Sequence, residues 1–206
     1  MIEISAIQQD MLAELLNVGI GRAAASLSEM TDEEVLLNVP NLQLLSREEL
    51  PQSIAEDDSQ PLRAVRQSFS GAIVGEGLLC FPEDRSLELV RVALQREIPL
   101  DQMTELEEEA LLEVGNIILN ACLSSFSDTL ELEIASGLPK PLTGSRAQIV
   151  DQCRPNGDDV VFFMSICFTL KGRDIPGFVT FALDVGSLET LITSIDRYLE
   201  RIGLQG

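Results

Sequence analysis

Glu14, Asn17 and Pro40 recur in this chain as Glu113, Asn116 and Pro139, each displaced by 99 positions (113−14, 116−17, 139−40). Both copies read Glu-x-x-Asn, then 22 residues, then Pro. On a helix, residues three apart share a face. The pair therefore sets an anionic acceptor beside a carboxamide, which both donates and accepts hydrogen bonds. One copy alone reads as a solvated helix edge. Two copies in register read otherwise, because a duplication that needed only a core would keep apolar positions. Asn inside a helix costs several tenths of a kcal/mol, and placing it there twice points to a task outside packing.

The rest of the composition narrows that task. Histidine is absent, which excludes a Ser-His or Cys-His dyad, a histidine base and a His-ligated metal. Catalysis is left to carboxylates, amides, hydroxyls, arginines or a partner's groups. The four cysteines, Cys80, Cys122, Cys153 and Cys167, form no C-x-x-C pair and match no common zinc spacing. Most lie in or near apolar runs and are expected to be buried thiols. Glu105, Glu107, Glu108, Glu109 and Glu113 form a dense acidic run. It reads as a solvated first turn that suits the helix dipole rather than as a metal site. Asp57-Asp58 and Asp158-Asp159 read as loop and strand-start charges. Gly19-Ile20-Gly21 follows no strand and lacks a following Gly-Lys-Ser/Thr, so close helix packing explains it better than phosphate binding. Gly115 beside Asn116, like Gly19 near Asn17, would also let a partner's backbone approach closely.

With 34 acidic and 14 basic residues the formal net charge is −20. Such a surface repels phosphate backbones and excludes nucleic acid as a partner. It attracts a protein with a basic rim, or suits a salty cytoplasm. No apolar run approaches the roughly 20 residues that span a bilayer. The start, Met-Ile-Glu-Ile-Ser, lacks a basic-then-apolar leader layout. A soluble cytoplasmic protein without membrane insertion is expected.

The elements that must carry the polar pairs follow from periodicity. Ile7, Met11, Leu15, Leu16, Ile20, Ala23, Ala24 and Leu27 recur at helical spacing, predicting a helix over 7–28. Asp10, Glu14 and Asn17, at i, i+4 and i+7, form a polar stripe beside that apolar one. A second helix is predicted over 104–127, with Glu109, Glu113 and Asn116 as its matching stripe. Residues 35–45 read as a bent strand or strand pair, with Pro40 at an edge or bend. Residues 46–61 read as a loop. Strands are predicted over 65–74 and 77–81 around a turn at Gly75-Glu76-Gly77, over 130–134, around 146–151, and as a hairpin over 160–170 and 177–183. Short helices are predicted over 84–95 and 187–202. Hairpin exits also repeat, as Gly77-x-x-x-Phe81 and Gly177-x-x-x-Phe181. The expected fold is α+β. It is internally duplicated and pseudo-twofold, with two layers and long helices on one face of a shared, largely antiparallel sheet. We expect one domain, 1–206, made of two repeats, about 1–100 and 101–206.

The pattern Asp/Ser-x-x-x-Glu-x-x-Asn-x(22)-Pro resembles the signature of the CheC, CheX and FliY chemotaxis phosphatases, the CheC type most closely. Asp10, Glu14, Asn17 and Pro40 match it fully. Glu109, Glu113, Asn116 and Pro139 depart only at Glu109. The likeness extends over nearly the whole chain through the repeated order of elements. It implies a hydrolase acting on the aspartyl phosphate of the response regulator CheY. Asn17 and Asn116 would orient the attacking water, much as a glutamine does in GTPases. Glu14 and Glu113 would anchor the regulator's active-site lysine, and Asp10 and Glu109 would contact the partner. The regulator would bring its own Mg²⁺, so no cofactor is expected on this chain. The receptor deamidase CheD is a further implied partner. The alternative is a non-catalytic adaptor that binds phosphorylated CheY or CheD through the same face.

Overall fold

The computed structural model describes residues 4–46, 49, 61–93, 105–152, 160–170 and 173–204. Helix α1 spans Ala6–Thr31. Ser5 caps it: the Ser5 hydroxyl accepts from the Gln8 N–H, and the Gln8 side chain accepts from the Ser5 N–H at 2.8 Å. Leu12, Leu15, Leu16, Ile20, Ala23 and Leu27 are the buried stripe. Asp32 then turns left-handed, at φ 50°, and ends the helix. Ser28 Oγ accepts from the Val35 N–H at 2.9 Å and ties the last turn to strand β1, Val35–Ser46.

The other long helix, α3 (Glu105–Leu130), ends by the same means. Glu131 is left-handed at φ 56°, and Ser127 donates to the Leu132 carbonyl. Both pairs keep the 99-residue displacement (131−32, 127−28). The spacer between Asn and Pro then has a mechanical meaning. Fourteen positions separate Asn17 from Thr31, a descent of about 21 Å at helical rise. A strand climbing about 3.3 Å per residue regains that height in roughly six residues. The chain thus comes back beside the asparagine near position 40.

The strands form one antiparallel sheet in the order β1-β6-β7-β3-β2-β4, with β5 also on β2. Their ranges are β2 Leu62–Gly71, β3 Gly75–Pro82, β4 Ile134–Ser136, β5 Lys140–Gly144, β6 Val160–Leu170 and β7 Arg173–Leu183. At the centre β3 pairs with β7 through Leu79 opposite Val179 and Gly77 opposite Phe181. Gly177 lies so close under the Phe81 ring that a Cβ would come within 2.6 Å of it. Each glycine thus receives the other hairpin's phenylalanine. Strands are exchanged between the halves: β1 lies on β6, and β4 and β5 lie on β2. β1 is an edge strand whose register shifts between Asn38 and Asn41, flanking Pro40 as a residue without an N–H donor requires.

The main core lies between the long helices, α5 (Val185–Arg201) and one face of the sheet, with Leu15, Ile118, Phe81, Phe168, Phe181 and Leu191 fully buried. α2 (Glu83–Ala93) adds Leu89 and Val90. A smaller cluster, including Leu62, Leu78, Phe163 and Phe178, fills the opposite face. The fold is α+β, as expected from the sequence, with one exception to helices on a single face. Residues 146–152 form helix α4, not a strand, and Ile149 enters the smaller cluster. Ser145 decides this: its N–H donates to Gln148 Oε1 at 2.8 Å and its carbonyl accepts from Ile149 N. The expected strand is instead β5, a few residues earlier. Leu130 ends α3, so the strand expected over 130–134 begins only at Ile134. The first hairpin turns at 72–74, and Gly75 and Gly77 already lie in β3. The expected loop over 46–61 falls mostly outside the described residues. Residues 108–130 are long and apolar enough by length and composition to cross a membrane; here Leu111, Val114, Ile118 and Leu119 belong to the core.

Candidate functional site

Asp10, Glu14 and Asn17 stand on the exposed edge of α1, beside its buried stripe. Asp10 and Asn17 open onto a groove of about 630 Å³ between α1 and β1, floored by Leu16, Leu42, Leu44 and Met164. Val39, next to Pro40, lines the same groove. The helix-down, strand-back path therefore brings Asn17 and Val39, the neighbour of Pro40, to one groove. Among the described residues nothing hydrogen-bonds the Asn17 side chain. Its carboxamide is open to solvent on an apolar-floored cleft.

Glu109 and Glu113 are likewise exposed on α3. Asn116 is half-buried and differs from Asn17 in its surroundings. Its Oδ1 accepts from Asn120 Nδ2 at 2.7 Å and from Gln67 Nε2 at 3.2 Å. Gln67, on β2 and only 1% exposed, also donates to the Gly137 carbonyl at 2.9 Å. Gly137 in turn donates its N–H to Ser68 O at 2.7 Å, which holds the segment before Pro139 against β2. The two motif copies thus make two separate places, one on each long helix.

The glycines near the asparagines serve packing. A Cβ at Gly19 would come within 2.6 Å of the Cys122 backbone, so α1 and α3 cross there in close contact. A Cβ at Gly115 would come within 2.5 Å of Val65. That contact seats α3 on β2 and brings Asn116 and Asn120 within reach of Gln67. Neither glycine is available to a partner's backbone; Gly21 alone of the three faces open space.

Gln67 and Asn120 are absent from the sequence-predicted site. Signals for both exist. Asn120 lies one turn after Asn116 on the same face. Gln67 sits between Val65 and Phe69 in the period-2 pattern of β2, a polar residue where the strand faces the core.

Two of the described thiols are held toward the unreactive protonated form. Burial pushes Cys122 up to about 12, and burial together with the neighbouring Asp174 carboxylate raises Cys167. Among the described residues, no cluster of three or more His, Cys, Asp or Glu is placed to hold a metal. What the two sites can do chemically is bind a cation through a carboxylate and orient a small polar molecule through a carboxamide.

No protein-family model matches the sequence. The CheY-P phosphatase CheC of Bacillus subtilis (strain 168) is 24% identical over 136 residues, which span 65% of this chain and 65% of that protein. Among solved structures, Thermotoga maritima FliY superposes with a TM-score of 0.77 at 14% identity, covering 96% of this chain and 100% of that one. The FliM middle domain from H. pylori gives 0.65 at 12% identity, over 93% and 99%. At these identities the solved structures establish a shared fold.

Proposed function

We propose that this chain, which is of the CheC/CheX/FliY type, is a phosphatase for the aspartyl phosphate of a CheY-like response regulator. The observation that carries the reading is the motif in duplicate: Glu14 with Asn17 and Glu113 with Asn116, each on an accessible helix edge flanked by a returning strand. An aspartyl phosphate is already reactive. Hydrolysis needs a water in line with phosphorus; the P–O bond to the aspartate breaks, the carboxylate leaves and inorganic phosphate forms. A carboxamide at Asn17 or Asn116 holds the water. Glu14 or Glu113 pairs with the regulator's lysine by a charge-assisted hydrogen bond and sets the docking register. Asp10 and Glu109, one turn before each Glu, contact the same partner. Mg²⁺ comes with the regulator. Hundredfold acceleration corresponds to about 2.7 kcal/mol of transition-state stabilisation, within the reach of one well-placed amide. The chain is read as a single domain of two repeats, 1–100 and 101–206, working in the cytoplasm, with one site in each repeat. CheD is a further partner on this reading.

The likeness of fold to the FliM middle domain favours a second reading, an adaptor that binds a phosphorylated regulator or CheD without hydrolysis. Phosphate lifetime separates the two. Decay of a phosphorylated CheY-like regulator should quicken at least tenfold with the wild-type protein. Asn17→Ala and Asn116→Ala should each remove part of that gain, and the double variant all of it. Binding without any change in lifetime would leave the adaptor.

A further inference from the structure

The Asn116 carboxamide is not free to turn, and the reason can be traced from a single backbone atom. The Gly137 carbonyl can only accept. It lies 2.9 Å from Gln67 Nε2, so that end of the buried Gln67 amide is its N–H end. The atoms of Asn116 and Asn120 that face the same nitrogen, at 3.2 and 3.3 Å, must then both be oxygens. Gln67 Nε2 has two hydrogens for three acceptors. One goes to Gly137 and the other is shared between the two asparagines, which fits their longer distances. Asn120 Nδ2 adds its bond to Asn116 Oδ1 at 2.7 Å. Asn116 Oδ1 thus receives two donors, one for each lone pair. Its Nδ2 is left without a partner and is not among the buried unpaired atoms.

Among the described residues, nothing equivalent holds Asn17. The position matching Asn120 is Gly21 (120−99), where a Cβ would meet no atom within 4 Å. Opposite Gly177 in the second hairpin, where the first hairpin has Gln67 opposite Gly77, stands the apolar Ile166.

We propose that Gln67 and Asn120 are positioning residues that lock Asn116 as a one-way donor. The second site then acts through an N–H aimed at the oxygen of the water or of the phosphoryl group, while Asn17 must be ordered by each docking partner. The functional half of this inference rests on the phosphatase reading. Releasing a side chain held in one orientation corresponds to a rate loss of about threefold to tenfold.

The test uses the full chain in two backgrounds, Asn17→Ala (second site only) and Asn116→Ala (first site only). Asn120→Ala is added to each, and Gln67→Met, which removes the donor and keeps the volume, is the second way to cut the tether. The side-chain NH₂ resonances of Asn116 are followed by NMR beside regulator-phosphate decay, with kcat and KM separated. We expect the Asn116 NH₂ pair to shift as its carboxamide loses the two donors on Oδ1. We also expect kcat of the second-site-only protein to fall about threefold to tenfold at unchanged KM. The first-site-only protein carrying the same changes is the control for general damage. Unmoved Asn116 resonances, or equal losses in both backgrounds, would overturn the proposal. A wild-type protein that never shortens phosphate lifetime would sink the phosphatase reading instead, and the resonances alone would then decide whether the tether exists.

Discussion

Cys122 sits where α3 meets α1, and burial holds its thiol protonated up to about 12. The folded value is above the unfolded one. The stabilisation is therefore complete below the unfolded thiol's ordinary value and is lost as pH rises from there through about 12. We predict that native Cys122 resists iodoacetamide at pH 8. Between pH 9 and 10.5 the unfolding free energy should fall through this group, because the unfolded thiol ionises there and the folded one does not. Cys122→Ser should flatten that slope; an unchanged slope would assign it elsewhere. At this scale the sequence was legible where chemistry repeats and opaque where it does not. The Glu and Asn of each motif show themselves by recurring. Gln67 and Asn120 have no counterparts in the other half, where Ile166 and Gly21 stand, so no comparison of halves can pick them out. The contact of Gly115 with Val65 brings them together in the fold.

Two glycines on the long helices make opposite predictions at the scale of elements. Gly115→Ala forces a Cβ onto Val65 and should destabilise by about 1–3 kcal/mol, as overpacking does. Gly21→Ala fills open space on an exposed helix face and should stabilise by about 1 kcal/mol. Denaturant midpoints measure both, and a shift of the same sign in the two variants would refute this account of how α3 is seated. The long helices were legible from periodicity, but their ends were not. Apolar spacing fades after Leu27 and Phe126, while the helices run on to Thr31 and Leu130, where the left-handed Asp32 and Glu131 stop them. Helix α4 was missed because seven residues hold too few turns for a period to appear. Its start lies in the pairing of Ser145 with Gln148. Gly75 and Gly77 looked like a turn because glycine usually marks one. Here Gly77 leaves room for Phe181 within a paired strand instead.

Over the whole molecule, a net charge of −20 repels itself and weakens the compact state. Salt shortens the reach of that repulsion from about 10 Å at 0.1 M to about 3 Å at 1 M. The thermal midpoint should rise by several degrees between 0.05 and 1 M KCl; a flat or falling midpoint would mean the acidic residues are already compensated in the fold. The same charge favours a partner with a basic rim. The exchange of strands between halves also fixes an order of events during synthesis. β1 is complete at Ser46, but its neighbour β6 is not finished until Leu170. A ribosome adding about 5–20 residues per second leaves that edge waiting for roughly 6–25 seconds. For that time the nascent chain carries, behind the helix of its first motif, a strand with open hydrogen-bonding groups, exposed to chaperones and to other nascent chains. The emergence of residues 160–170, rather than completion of the N-terminal half, is the step that closes it.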